Sequence, residues 1–173
     1  DVGYLLMEHA SVNEGLMKAL ANMFFRARDY YKAAMACEGI NEYEKAAALY
    51  ARCDAFEMAA EMYAQVGKHA EAAVMFERFG DNTQAARLFA QQGEDERAAF
   101  NYERGQNWFL AGQHYQRCQR QQKAIELLQK VPADSEDHFA AIGLIAEILV
   151  AAHRIDLAIR KLAACLSKSE LST

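Results

Sequence analysis

The chain has 173 residues, 25% of them charged, with a single proline and a formal net charge of −5. That length is enough to bury a core without metal or disulfide staples, and the negative balance argues against broad, non-specific binding to nucleic acid or anionic membranes. The cysteines Cys37, Cys53, Cys118 and Cys165 form no CxxC pair and are too sparse for a secreted disulfide scaffold, so reduced thiols in a cytoplasmic protein are expected.

Residues 1–26 are expected to form one or two helices that cap the first repeat. From position 20 a step of thirteen gives Leu20, Ala33, Ala46, Ala59, Ala72, Ala85, Ala98, Ala111 and Ala124. The adjacent column reads Ala21, Ala34, Ala47, Ala60, Ala73, Ala86, Ala99, Gly112 and Ile125. Three positions further, Phe24, Cys37, Tyr50, Tyr63, Phe76, Phe89, Tyr102, Tyr115 and Leu128 make a mostly aromatic column. Within one unit Phe56, Ala59, Ala60, Tyr63 and Val66 form one stripe of an amphipathic helix. Glycines recur at its end as Gly67, Gly80 and Gly93, with Gly39 and Gly105 one or two places early. A glycine just past a helix accepts the left-handed conformation that closes it. Each unit of thirteen residues is therefore predicted to be a helix of about ten residues and a tight turn, pairing into hairpins at 27–52, 53–78 and 79–104. Helices this short are marginal alone and depend on stacking.

Toward the C-terminus the spacing lengthens. Trp108, Ala111, Gly112, Tyr115, Ala124 and Leu128 stand in the W-x2-L-G-x2-Y…A…F pattern, and Ile142, Ile145, Ala146, Leu149, Ala158 and Leu162 take the same places one longer repeat on. This part of the chain resembles the tetratricopeptide repeat, with two full-length units at 105–138 and 139–172, and the short hairpins look like the same motif with eight residues missing. They also resemble the short-helix solenoids of trafficking coats and bacterial regulatory scaffolds. The resemblance implies an all-α, right-handed α-solenoid of antiparallel helical hairpins: three 26-residue units over 27–104, two 34-residue units over 105–172, one continuous domain.

Carrying over the family's groove-facing positions implies a partner-binding groove of Tyr31, Met35, Glu57, Glu61, Thr83, Arg87, Gln91, Phe109, Gln113, Gln116 and Arg117, acidic toward one end and amide-rich and basic toward the other. Arg26, Arg52, Arg78, Arg104 and Lys130 recur once per hairpin, in the last turn of each second helix. Two readings of this basic ladder stand: recognition of an acidic partner or nucleic acid, or simple complementation of the helix dipoles with ion pairs to neighbours such as Glu77 and Glu103. The aromatic column is expected in the core. Phe100 and Val74, in a column that is otherwise polar, are candidates for exposure.

No Gly-rich phosphate loop, nucleophile elbow, HExxH pair or metal quartet is present, so no catalytic residue, metal or cofactor is expected and the chain is not read as an enzyme. The most apolar stretch, Phe139 to Ala152, is interrupted by Glu147 and falls short of the ~20 residues of a membrane span. No signal peptide is visible. The expected function is a protein–protein interaction scaffold or adaptor that holds a peptide or helix of a partner. Self-association through a terminal hairpin, near Leu171, is a further expectation.

Overall fold

The computed structural model describes residues 2–10 and 13–170, with side chains placed for residues 2–7 and 13–164. It is all helical over those residues: α1 (Val2–Ala10), α2 (Glu14–Arg26), α3 (Tyr30–Glu38), α4 (Tyr43–Arg52), α5 (Phe56–Gln65), α6 (His69–Phe79), α7 (Asn82–Gln91), α8 (Asp95–Arg104), α9 (Trp108–Arg117), α10 (Gln121–Leu128), α11 (His138–Ala151) and α12 (Ile155–Glu170). Leu171 and the side chains of His9 and Cys165 lie outside the described residues.

The chain divides within α7 into two compact units, Asp1–Leu88 and Phe89–Thr173. In the first, α2 to α5 each pack on the helix that follows, ending with α6, and α1 lies against α2 and α3. In the second, α8 to α12 do the same, and α11 also reaches α9. Links of two to four residues leave most consecutive helices no arrangement but antiparallel hairpins, the longer connection 129–137 between α10 and α11 being the exception. The paired small residues are what permit the close approach: Ala33, Ala34, Ala46, Ala47, Ala59, Ala60, Ala72 and Ala73 in the first unit, and Ala98, Ala99, Ala111 and Ala124 in the second, have no exposed surface. Gly112 answers the same need most sharply, since a Cβ there would sit 2.6 Å from Cγ of Leu128. Phe24, Tyr50, Phe89, Tyr102 and Tyr115 of the aromatic column are buried, while Tyr63 and Phe76 are half-buried against the first unit's core.

The turns repeat as strictly as the helices. Arg28, Asn41, Asp54, Gly67, Gly80, Gly93, Gln106 and Gln119 stand at the same step of thirteen and are all left-handed, with φ between 59° and 98°. In most of these turns the next amide donates to the carbonyl of the aromatic-column residue. The bonds Glu42 to Cys37, Ala55 to Tyr50, Lys68 to Tyr63, Asn107 to Tyr102 and Arg120 to Tyr115 are each 2.9 Å, the six-to-one closure of a Schellman turn. This corrects the expectation for two glycines. Gly39 and Gly105 have φ of −61° and −79°, and the left-handed residues are Asn41, two places after Gly39, and Gln106, the residue after Gly105. The turn needs its left-handed residue at a fixed distance from the aromatic carbonyl, so it takes whatever residue that register supplies.

The next position in that column is Pro132, whose ring fixes φ in the negative range and cannot make the turn. There the short repeat stops. The eight additional residues of 105–138 do not lengthen α9 or α10, which span 10 and 8 residues, but lie in the connection 129–137. The longer helices are α11 and α12, of 14 and 16 residues. His153, one longer repeat after Gln119, is again left-handed.

Candidate functional site

The first helices of the hairpins carry the residues expected to face a partner. In the first unit, Tyr31 and Met35 on α3 are half-buried and packed against the core. Tyr31 meets Tyr50 edge-on, with ring centroids 5.5 Å apart. No residue of α3 is exposed, and α1 lies against it, so these two side chains contribute chiefly to packing. Glu57 and Glu61 on α5 are one turn apart and both exposed, as is Arg87 on α7; Thr83 is half-buried. In the second unit Gln91 is exposed, Phe109, Gln113 and Gln116 on α9 are half-buried, and Arg117 is exposed. Phe109 and Trp108 help line an open pocket of about 170 Å³, bounded also by Val131, Pro132 and Ser135 of the connection 129–137.

Arg117 belongs to a network with two residues outside the expected groove, Asp95 and His114. Its Nη1 lies 3.5 Å from Oδ1 of Asp95, the first residue of α8, and the same oxygen is 2.6 Å from Nδ1 of His114. His114 is only 6% exposed and stacks on Tyr102 at 5.5 Å. The signal was present in the sequence as a break. Met23, Ala36, Leu49, Met62, Met75 and Leu88 occupy an apolar column that continues as Asn101 and His114 before returning to Leu127. Asn101, fully buried, donates from Nδ2 to the Arg97 carbonyl at 3.0 Å. Two consecutive polar residues in an otherwise apolar column thus fall beside α9.

Most members of the basic ladder have partners inside their own hairpin. The Arg52 guanidinium lies 4.3 Å from the centroid of Tyr30, Arg78 lies 5.7 Å from Phe56, and the Lys130 ammonium lies 5.3 Å from Trp108. Tyr30, Phe56 and Trp108 each open the first helix of a hairpin, so Arg52 and Arg78, in the last turn of the second helix, lie near the ring that begins the first. Lys130 does the same from two residues beyond the end of α10, not from its last turn as expected. Asn82 replaces the ring in the hairpin 79–104, and Arg104 instead lies 5.7 Å from Phe100 on its own helix. Lys130 also reaches Glu126 at 3.3 Å. Arg26 is exposed. Glu103 does not serve Arg104: it receives the Tyr115 hydroxyl at 3.1 Å and Lys123 at 2.7 Å. Phe100 is exposed, as its polar column suggested, and Val74 is half-buried.

The buried hydroxyls and thiols are electrostatically quiet. Burial, and then the bond to Glu103, pushes the Tyr115 hydroxyl up to about 12. Burial and Glu38, which accepts the Tyr50 hydroxyl at 2.7 Å, raise Tyr50 further still. Burial also raises the thiols of Cys37 and Cys118, the opposite of an activated nucleophile. Among the described residues, no cluster of three or more His, Cys, Asp or Glu side chains is placed to hold a metal ion, and no helix is long and apolar enough to cross a membrane. At the C-terminal end α12 exposes Ile155, Ile159 and Leu162.

No protein-family model and no curated protein matches the sequence. Among solved structures the chain is similar to the crystal structure of MamA protein, at a TM-score of 0.52 and 16% identity over 94% of this chain and 93% of that one. This likeness, with the order of helix packing, defines the class: an all-α helical-repeat protein of the α-solenoid type.

Proposed function

We propose that the chain is a non-catalytic protein-interaction scaffold whose first-helix faces hold a peptide or helical segment of a partner protein. The observation that supports this best is the division of labour along those helices. Their small and aromatic columns are consumed by packing, whereas Glu57, Glu61, Arg87, Gln91 and Arg117 stand exposed. Each unit offers its own face. That of the first is acidic on α5, and that of the second is amide-rich with Arg117 anchored beside Asp95. A repeat scaffold changes partners by changing such residues without altering its fold.

The basic ladder gives less support to the rival reading as a nucleic-acid binder. Arg52, Arg78 and Lys130 each lie within 5.7 Å of a ring of their own hairpin, which uses them in closing hairpins. The test is affinity capture with wild type and the triple variant Arg87→Glu, Gln91→Glu, Arg117→Glu, with folding checked by circular dichroism. A protein held by wild type and released by the folded variant supports the reading. Retention of the same protein by both removes the first-helix face, and recovery of nucleic acid alone, lost in an Arg52→Ala, Arg78→Ala form, replaces the reading by its rival.

A further inference from the structure

The first unit contains an open cleft of about 470 Å³ between α2 and α4, floored by the end of α3. Its walls are mainly apolar: Ala21 and Phe25 from α2, Cys37 and Ile40 from the end of α3 and its turn, Ala48 and Leu49 from α4. The repeat itself explains why the space is there. At the corresponding position of the other short first helices stand Tyr63, Phe89 and Tyr115, and only α3 has a small residue, Cys37. One repeat on, the Tyr63 ring packs against the hydrophobic core. The fold therefore has a place for an aromatic ring that this hairpin does not fill.

The mouth is left open by a second departure from the repeat. Across the next interval Lys68, at the start of α6, reaches back 2.6 Å to Glu44 on α4, and Arg120 makes the equivalent bond to Glu96 in the second unit. The counterparts at the first interval are Glu42 and Lys18, with the signs exchanged. These do not strap the cleft. Lys18 pairs with Glu14 at 2.6 Å and Glu42 with Lys45 at 2.8 Å, each along its own side. The rim thus offers balanced, already paired charge, which gives no advantage to a charged visitor. Phe25, which meets Tyr30 edge-on at 5.9 Å, is still partly exposed where it lines the cleft, and ring pairs are worth more than their buried area alone.

We infer that this cleft is a docking site for a partner protein, receiving a phenylalanine-like side chain from an uncharged segment in the place that Tyr63 fills one repeat later. It is separate from the first-helix faces, and its success or failure is independent of theirs. The ring sits between Phe25 and Leu49, over Cys37, with Asn22 at the rim available to the visiting backbone.

The test uses the whole chain and a defined probe, N-acetyl-phenylalanine amide, followed by backbone amide NMR shifts. Saturable shifts confined to Ala21, Phe25, Cys37, Ile40 and Leu49 are expected. They should persist in Cys37→Ala and vanish in Cys37→Phe, where the chain supplies its own ring. Should Cys37→Phe fail to fold, Ala48→Phe blocks the mouth from an exposed position and should abolish the shifts equally. No saturable shift, shifts spread over the surface, or equal binding of the cyclohexylalanine analogue would each overturn the proposal. So would shifts of the same amides on concentrating the protein without probe, which would make a second copy the occupant.

Discussion

The left-handed column offers the sharpest check on how this chain folds, because it separates conformational cost from packing. Gln119 holds φ at 60° with a full side chain, a conformation that costs an L-residue about 1–2 kcal/mol. Gln119→Gly removes that cost and returns roughly 0.4–1 kcal/mol through the greater freedom of the unfolded chain, leaving a net gain of roughly 0–1.6 kcal/mol, centred on about 0.8 kcal/mol. Gly93, in the same column with φ at 76°, is the converse case. A Cβ built there meets nothing within 4 Å, so the loss of about 1 kcal/mol expected for Gly93→Ala is conformational alone. Gly105 is the control, since its φ of −79° suits alanine, and Gly105→Ala should cost far less than Gly93→Ala. Urea unfolding followed by far-ultraviolet circular dichroism, with the slope unchanged between variants, measures all three. A Gln119→Gly variant no more stable than wild type, with Gly93→Ala and Gly105→Ala unfolding together, would refute the conformational account.

Gly112→Ala should destabilise by roughly 1–3 kcal/mol through overpacking against Leu128, whereas Gly143→Ala, which meets nothing within 4 Å in α11, should gain up to about 1 kcal/mol in helix propensity; thermal melts distinguish the two signs. A double-mutant cycle on Phe56 and Arg78 should return a coupling of about 0.5–1 kcal/mol, and zero coupling would mean that the cation over the ring is incidental. Of the eight tyrosines, Tyr115 should ionise near about 12 and Tyr50 later still, read by ultraviolet absorbance of the phenolate with Tyr115→Phe and Tyr50→Phe as assignments. Because folding raises both above their unfolded value near 10, the stability they confer is complete below that pH and is lost as pH rises through the folded value. Loss of no late component in either variant would contradict the buried bonds to Glu38 and Glu103.

How much of this was legible from the residues differs by the range of the interaction involved. The columns of alanine and aromatic residues announced helices of about ten residues, because helix formation and the burial stripe are set by neighbours three and four positions away. The turns were legible only where glycine marked them. Arg28, Gln106 and Gln119 adopt the same left-handed conformation with no residue-type signal, since the six-to-one hydrogen bond and the packing of two helices impose it. The break of the short repeat was written at Pro132, whose ring forbids the turn that its register demands.

The candidate sites depended more on tertiary structure. The ladder of cations was plain from its regular spacing, yet the rings beneath Arg52, Arg78 and Lys130 stand at the far end of each hairpin's sequence and become neighbours only when the hairpin closes. Tyr31 and Met35 occupy positions that a repeat family turns toward its partner, and here both are half-buried and packed against the core. Cys37 was visible as the odd member of an aromatic column. That its smallness opens a cleft was not, because the cleft needs α2 and α4 on either side of α3 and two ion pairs that turn away from its mouth. Periodicity alone determined the helices and their columns, as it acts within a turn or two of chain. Which side chains remain free to meet another molecule was decided by contacts between helices, which depend on distances in space that no spacing along the chain records.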